Sequence, residues 1–201
     1  MRKILLFVWA CMGLVCLMSA CKTSVKSKEW KLVWVEDFDQ KNSFDESVWT
    51  KIPRGTSDWN NYMSYYDSCY AMQDGNLILR GIANHTQKND TAPYLTGGVY
   101  TKGKKLFTGG RVEVCARLQA AKGAWPAIWM LPEKAEWPKG GEIDIMERLN
   151  HDHIAYQTTH SYYTHILGIK DNPPHGGINK INPEEYNIYS VDILSLIHIS
   201  E

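Results

Sequence analysis

Short stretches of alternating apolar and polar residues, each closed by a turn signal, constrain this chain more than any other feature. They occupy residues 30–35, 76–81, 98–101, 110–118, 124–131, 142–147 and 154–160, and residues 186–193 alternate in the same way. A period of two buries one face of a β-strand and leaves the other polar. Between the stretches lie Asp74-Gly75, Gly97-Gly98, Gly109-Gly110 and Gly140-Gly141, dipeptides that suit tight turns. No stretch carries a sustained helical period with caps. The pattern predicts an all-β domain, most simply a two-sheet antiparallel β-sandwich or jelly roll. Neither an internal repeat nor a second folded domain is visible.

The ends read differently from the body. Met1-Arg2-Lys3 precedes an apolar run over residues 4–18, the charged and hydrophobic regions of an export signal and too short and early for a membrane span. The run closes on Leu17-Met18-Ser19-Ala20-Cys21, which resembles the bacterial lipobox. A lipoprotein signal over 1–21, lipidated at Cys21, and a polar tether over 22–28 are therefore expected, with an ordinary cleaved signal as the alternative. That places the protein as an exported lipoprotein, at the outer membrane or cell surface or on the periplasmic face, touching membrane through its lipid anchor only. Residues 29–193 form the folded domain. Residues 194–201 resemble translated adapter sequence, so a non-native tail on a C-terminally incomplete domain is expected, against a genuine last strand.

Composition excludes some partners. Basic and acidic residues both number 22, so no global field draws a polyanion, and nucleic acid is not an expected partner. Eight tryptophans and eleven tyrosines stand against four phenylalanines. Such rings pair a flat apolar face with a hydrogen-bonding edge, which suits sugars as well as cores. Of five cysteines only Cys69 and Cys115 lie in the body, and either a disulfide or two separate thiols fits them.

Glu142, Asp144 and Glu147 form the sharpest cluster, three carboxylates within a run otherwise Ile143, Ile145 and Met146. A helix would point Glu142 and Asp144 about 200° apart, whereas a strand puts them on one face. In a regular strand Glu147, of opposite parity, would face the core. One extra residue near Met146, a β-bulge between Asp144 and Glu147, corrects the parity and lets the outer side chains converge. Two carboxyl groups about 5 to 5.5 Å apart are the arrangement for retaining glycoside hydrolysis. A solvated acidic edge or a carboxylate cation site is the rival reading of the bare spacing.

The surrounding motifs resemble glycoside hydrolase family 16 in its laminarinase-like form. Residues 141–147 match its bulged E-x-D-x-x-E signature, and Gly123-Ala124-Trp125-Pro126-Ala127-Ile128-Trp129-Met130-Leu131-Pro132 resembles its G-x-W-P-A-x-W-M-L-P strand. Residues 34–38, 74–77 and 110–114 match further positions, so the likeness runs from about 30 to 193 in the family's order. It implies a concanavalin A-like jelly roll with a concave substrate cleft, Glu142 as nucleophile, Glu147 as acid/base and Asp144 as the assisting carboxylate. The expected activity is a retaining endo-β-glycanase on β-1,3- or mixed β-1,3/1,4-glucan, with β-galactans or mucin-type galactosyl glycans as the alternative within one mechanism. A non-catalytic glycan-binding surface lipoprotein is the alternative from another class.

Trp125, Trp129 and Trp137 are candidate sugar platforms, against core packing for each one singly. His160 is a candidate substrate ligand or modulator of Glu147. Residues 59–66 sit where relatives carry Asn-Asn-Glu-x-x-Tyr-Tyr, and here Tyr62 stands for the glutamate; Asn60 and Asn61 are candidate hydroxyl ligands or turn formers. His151, His153, His160 and His165 fit no compact zinc motif. No cofactor is required, a structural calcium rests on the resemblance alone, and the protein is expected to be a monomer acting on a polysaccharide.

Overall fold

The computed structural model describes residues 30–40, 42–170 and 174–194. The chain divides between Val33 and Trp34. Of the first unit only residues 30–33 are described, and they lie in neither strand nor helix. The export segment, Cys21, the tether and residues 195–201 lie outside the described residues.

The regular structure of the second unit is almost entirely β. Its strands are β1 (Thr50–Lys51), β2 (Tyr70–Gln73), β3 (Asn76–Leu79), β4 (Gly81–Ala83), β5 (Tyr94–Thr96), β6 (Val99–Tyr100), β7 (Gly110–Ala116), β8 (Ala127–Met130), β9 (Glu142–Glu147) and β10 (Ile154–His160). A one-turn helix α1 (Tyr162–His165), β11 (Gly176–Lys180) and β12 (Asn187–Ile193) follow. Every strand pairing is antiparallel, as alternation predicts. Strands β8 to β11 form one four-stranded sheet in the order β11-β10-β9-β8, and β12 pairs with β7.

These two sheets enclose the core. Leu118, Ile145, Met146, Ala155 and Tyr189 are buried together, with Val112, Ala116, Ile128, Met130, Ile143, Ile181 and Val191 packed around them. Val112 faces Val191 and Val114 faces Tyr189 across the β7–β12 pair, so one apolar row of each strand points inward. Burying a side chain the size of Met146 or Ile145 contributes about 2 kcal/mol, which pins the inner face of β9. Its other face is thereby turned outward.

Several expectations need correction. Residues 30–35 form no strand: Val33 and Val35 are 89% and 64% exposed, and no neighbour among the described residues supplies a ladder. Alternation without a hydrogen-bonding partner makes no strand. The stretch 76–81 is split, because the Arg80 amide donates to Cys69 and its carbonyl accepts from Gly97, handing the chain from the β2–β3 hairpin to the β4–β5 pair. Strand β11 was not expected, since Gly-Gly-Ile-Asn-Lys carries no alternation and is exposed throughout; five paired positions on β10 make it a strand. The Asp74-Gly75 turn does appear, with both residues at positive φ (52° and 69°), the conformation of a two-residue hairpin. Among the described residues Cys69 and Cys115 form no disulfide, the first being buried and the second exposed.

Candidate active site

The bulge expected in the acidic strand is present. Towards β10, Glu147 faces Tyr156 and Asp144 faces Thr158, so three steps on β9 oppose two on its neighbour. Towards β8, Met146 faces Ile128 while Asp144 faces Trp129, leaving Ile145, rather than Met146, as the unpaired residue. Both Ile145 and Met146 are buried by this arrangement, and the interrupted ladder frees the Ile145 carbonyl, which accepts a hydrogen bond from Gln157 Nε2 at 3.1 Å. Ala127 and Trp129, two apart on β8, face Glu147 and Asp144 respectively. Glu142, opposite His160, completes the row. All three carboxylates therefore share the outer face of one sheet.

Asp144 is the most confined of the three, with 4% of its surface exposed. Burial, then the charges of Glu147 and Glu142, then a hydrogen bond with Glu142 push its carboxyl up to about 7. The cause is desolvation plus like charge, both of which disfavour the anion. At mildly acidic pH Asp144 is thus a neutral acid that can donate to Glu142. His160 Nε2 stands 3.1 Å from Asp144 Oδ2. One oxygen or nitrogen from each of Glu142, Asp144 and His160 lies within 4.8 Å of the others, so this trio offers the convergence a cation needs, while Asp144 Oδ2 is buried with no hydrogen-bond partner among the described residues.

Glu147 sits at the far end of the row and accepts a hydrogen bond from Trp125 Nε1 at 2.8 Å. Residue Trp125 precedes β8 and is 47% exposed. Trp129, a candidate platform residue, meets the ring of Trp59 edge-on, 5.0 Å between centroids, a contact that nothing in the strand pattern singled out. The only sequence signal for Trp59 is its place beside Asn60.

Trp137 lies in the connection before β9, 47% exposed, with its ring 4.4 Å from His165 of α1. His165 in turn is 6.4 Å from His160, so the ring row runs from Trp137 towards the carboxylates. Gly140 and Gly141 close that connection. A Cβ on Gly140 would stand 2.4 Å from Pro132 Cγ, and Gly141 adopts φ +80° beside the His160 carbonyl. Only glycine fits both positions without strain. In the loop preceding β2, Asn60 Oδ1 accepts from the Ser57 amide at 3.1 Å, closing its own turn. The Asn61 Oδ1 atom is buried and has no hydrogen-bond partner among the described residues.

The XgeA-like catalytic domain of glycoside hydrolase family 16 matches residues 66–174, more than half of the chain. A keratan-sulfate endo-1,4-beta-galactosidase of Sphingobacterium multivorum is 38% identical over 84% of this chain and 40% of its own length. A beta-glucanase of Rhodothermus marinus is 31% identical over 88% of this chain and 64% of its own. Among solved structures, the laminarinase catalytic domain of Thermotoga maritima superposes with a TM-score of 0.68 at 28% identity, covering 82% of this chain and 70% of that one. The chain thus spans less than two thirds of the length of these two curated relatives.

Proposed function

Because the chain belongs to glycoside hydrolase family 16, we propose that it is a retaining endo-β-glycanase that hydrolyses β-1,3- or mixed β-1,3/1,4-glucans. The observation that carries this reading is the bulged strand, which sets Glu142, buried Asp144 and Glu147 on one outward face.

In the first step the Glu142 carboxylate attacks the anomeric carbon while Glu147 gives its proton to the glycosidic oxygen, whose bond to that carbon breaks. A glycosyl ester on Glu142 results. In the second step Glu147, now a carboxylate, takes a proton from water as the water oxygen attacks the same carbon and frees Glu142. Asp144, neutral below about pH 7, donates to Glu142 and orients it for attack. The rings of Trp129, Trp59 and Trp137 offer faces for the sugars on either side of the carboxylates. No cofactor takes part.

A β-galactosyl substrate is the second reading within the same mechanism, and the similarity to a keratan-sulfate endo-1,4-beta-galactosidase favours it. Export and lipidation at Cys21 belong to the same proposal and rest on the sequence of residues 1–21.

The test is to incubate the protein with laminarin, lichenan, keratan-type glycans and mucin glycans, beside a Glu142→Gln variant. Oligosaccharides from the wild type alone, with the anomeric configuration retained at first release by NMR, are the expected result. Which polymer is cut separates the glucan from the galactosyl reading. Release by neither protein refutes the hydrolase reading, and release by both refutes the assignment of Glu142.

A further inference from the structure

We propose that Trp125 is a positioning residue for the acid/base Glu147, its indole N–H selecting which carboxyl oxygen carries the catalytic proton. The inference rests on the reading of Glu147 given above. Trp125 Nε1 donates to Glu147 Oε1 at 2.8 Å. An indole nitrogen is a donor only. Of the two oxygens of a protonated carboxyl group the carbonyl oxygen is the better acceptor, so Oε1 takes that form and the proton sits on Oε2. The hydrogen bond therefore holds the side chain in one orientation and leaves its acidic oxygen facing the substrate.

The backbone on either side of Trp125 is clamped to the residues that follow Glu147. The Ala124 carbonyl accepts from the Asn150 amide at 2.9 Å, the Pro126 carbonyl from the Arg148 amide at 3.0 Å, and the Gly123 amide donates to Asn150 Oδ1 at 2.7 Å. Ala127 faces Glu147 across the ladder. Arg148 is itself buried and bonded to the Leu118 and Asp152 carbonyls. Indole and carboxyl thus stand on two segments locked in register, which keeps the contact from depending on a loose rotamer. With 47% of its surface exposed, Trp125 is not retained to fill the core. A sugar stacked on its ring would use the face and leave the N–H edge on Glu147.

The contact strengthens as the reaction proceeds. When Oε2 gives its proton to the leaving oxygen, Glu147 becomes an anion and the Trp125 bond becomes charge-assisted. An interaction stronger after proton transfer than before it raises kcat rather than lowering KM. It also favours the ionised carboxylate that must act as base in the second step.

Trp125→Phe keeps a flat ring and removes the donor. A benzothienylalanine at the same position, introduced by codon reassignment, replaces N–H by sulfur in nearly the same outline and covers the case in which phenylalanine disturbs the fold. Both variants are compared with the wild type on the polymer it cuts and on a matching aryl glycoside whose dinitrophenolate needs no protonation to leave. The expected result is a roughly tenfold loss of kcat on the glycan with KM within about twofold. Cleavage of the aryl bond, read from kcat/KM, stays within about twofold because that step bypasses the acid. The basic limb of kcat/KM on the glycan moves up, since removing a donor disfavours the anion.

A rise in KM on both substrates with an unchanged pH profile would overturn the proposal and leave Trp125 a sugar platform. Wild-type kcat in the benzothienyl variant would also overturn it. Glu147→Gln keeps the two readings apart: if that variant still cuts the glycan, the acid/base assignment itself fails, and if it does not, the Trp125 outcomes bear on Trp125 alone.

Discussion

Asp144→Asn separates the charge of the central carboxyl from its shape. The side chain is buried, and its carboxyl is pushed up from 3.8 to about 7, by burial first and then by Glu147 and Glu142. Between those two values the folded chain keeps a proton that the unfolded chain releases. Stability therefore falls as pH rises through that window, by up to about 1.4 kcal/mol per unit, and stays low above it. Integrating proton uptake for a group with these two values from pH 5 to pH 8 gives a loss of roughly 2 to 3 kcal/mol. Asparagine is neutral at both pH values and escapes that loss. Urea unfolding of both proteins at pH 5, 6.5 and 8, at constant ionic strength, measures it. The stability of the variant relative to wild type should grow by roughly 2 to 3 kcal/mol between pH 5 and pH 8, even as glycan hydrolysis declines for want of the acid beside Glu142. If the two stabilities change in parallel with pH, the description of Asp144 as a desolvated, proton-holding group is wrong.

Other perturbations test neighbouring parts of the same construction. Met146→Ala, at a fully buried core position, should cost about 2 to 5 kcal/mol in urea unfolding, whereas Ile188→Ala, at a position 71% exposed, should change stability by no more than about 0.5 kcal/mol. Equal losses would refute the placement of the core between β9 and β12. Gly141→Ala forces a side chain into φ +80° with its Cβ 3.4 Å from the His160 carbonyl, and a cost of about 1 to 2 kcal/mol should lower the melting temperature by a few degrees. Gln157→Leu removes the donor to the Ile145 carbonyl; a stability loss of about 1 to 2 kcal/mol together with a lower kcat is expected, and unchanged kcat would show that the bulge holds its shape without that bond.

Residues 142–147 were legible because three physical rules act on six residues. Alternation makes them a strand, apolar Ile143, Ile145 and Met146 fix which side is buried, and the parity of Glu147 demands an inserted residue. Which of Ile145 and Met146 goes unpaired was not legible, since it depends on the register that β8 and β10 impose from opposite sides. Strand β11 was invisible for a related reason: an edge strand can be made by its neighbour's hydrogen bonds, which local sequence does not record. Residues 30–35 show the converse, alternation without a ladder. The tryptophans divide along the same line. The nearness of Trp125, Trp129 and Trp137 to the carboxylates could be read from their places in the chain, but the donation from Trp125 to Glu147 and the edge contact between Trp59 and Trp129 depend on segments that meet only in the fold.

By itself, then, the order of residues determined an all-β domain, one strand carrying three outward carboxylates, and a family likeness that the comparisons bear out. The first two are properties of periodicity and spacing, which a single segment contains; the likeness rests on motifs spread along the chain. Only the tertiary structure decided that Asp144 is the desolvated member of the three, that His160 stands against it, and that Trp125 spends its N–H on Glu147. Desolvation and hydrogen-bond partnership are set by what surrounds a group, and those surroundings come from strands distant in the chain.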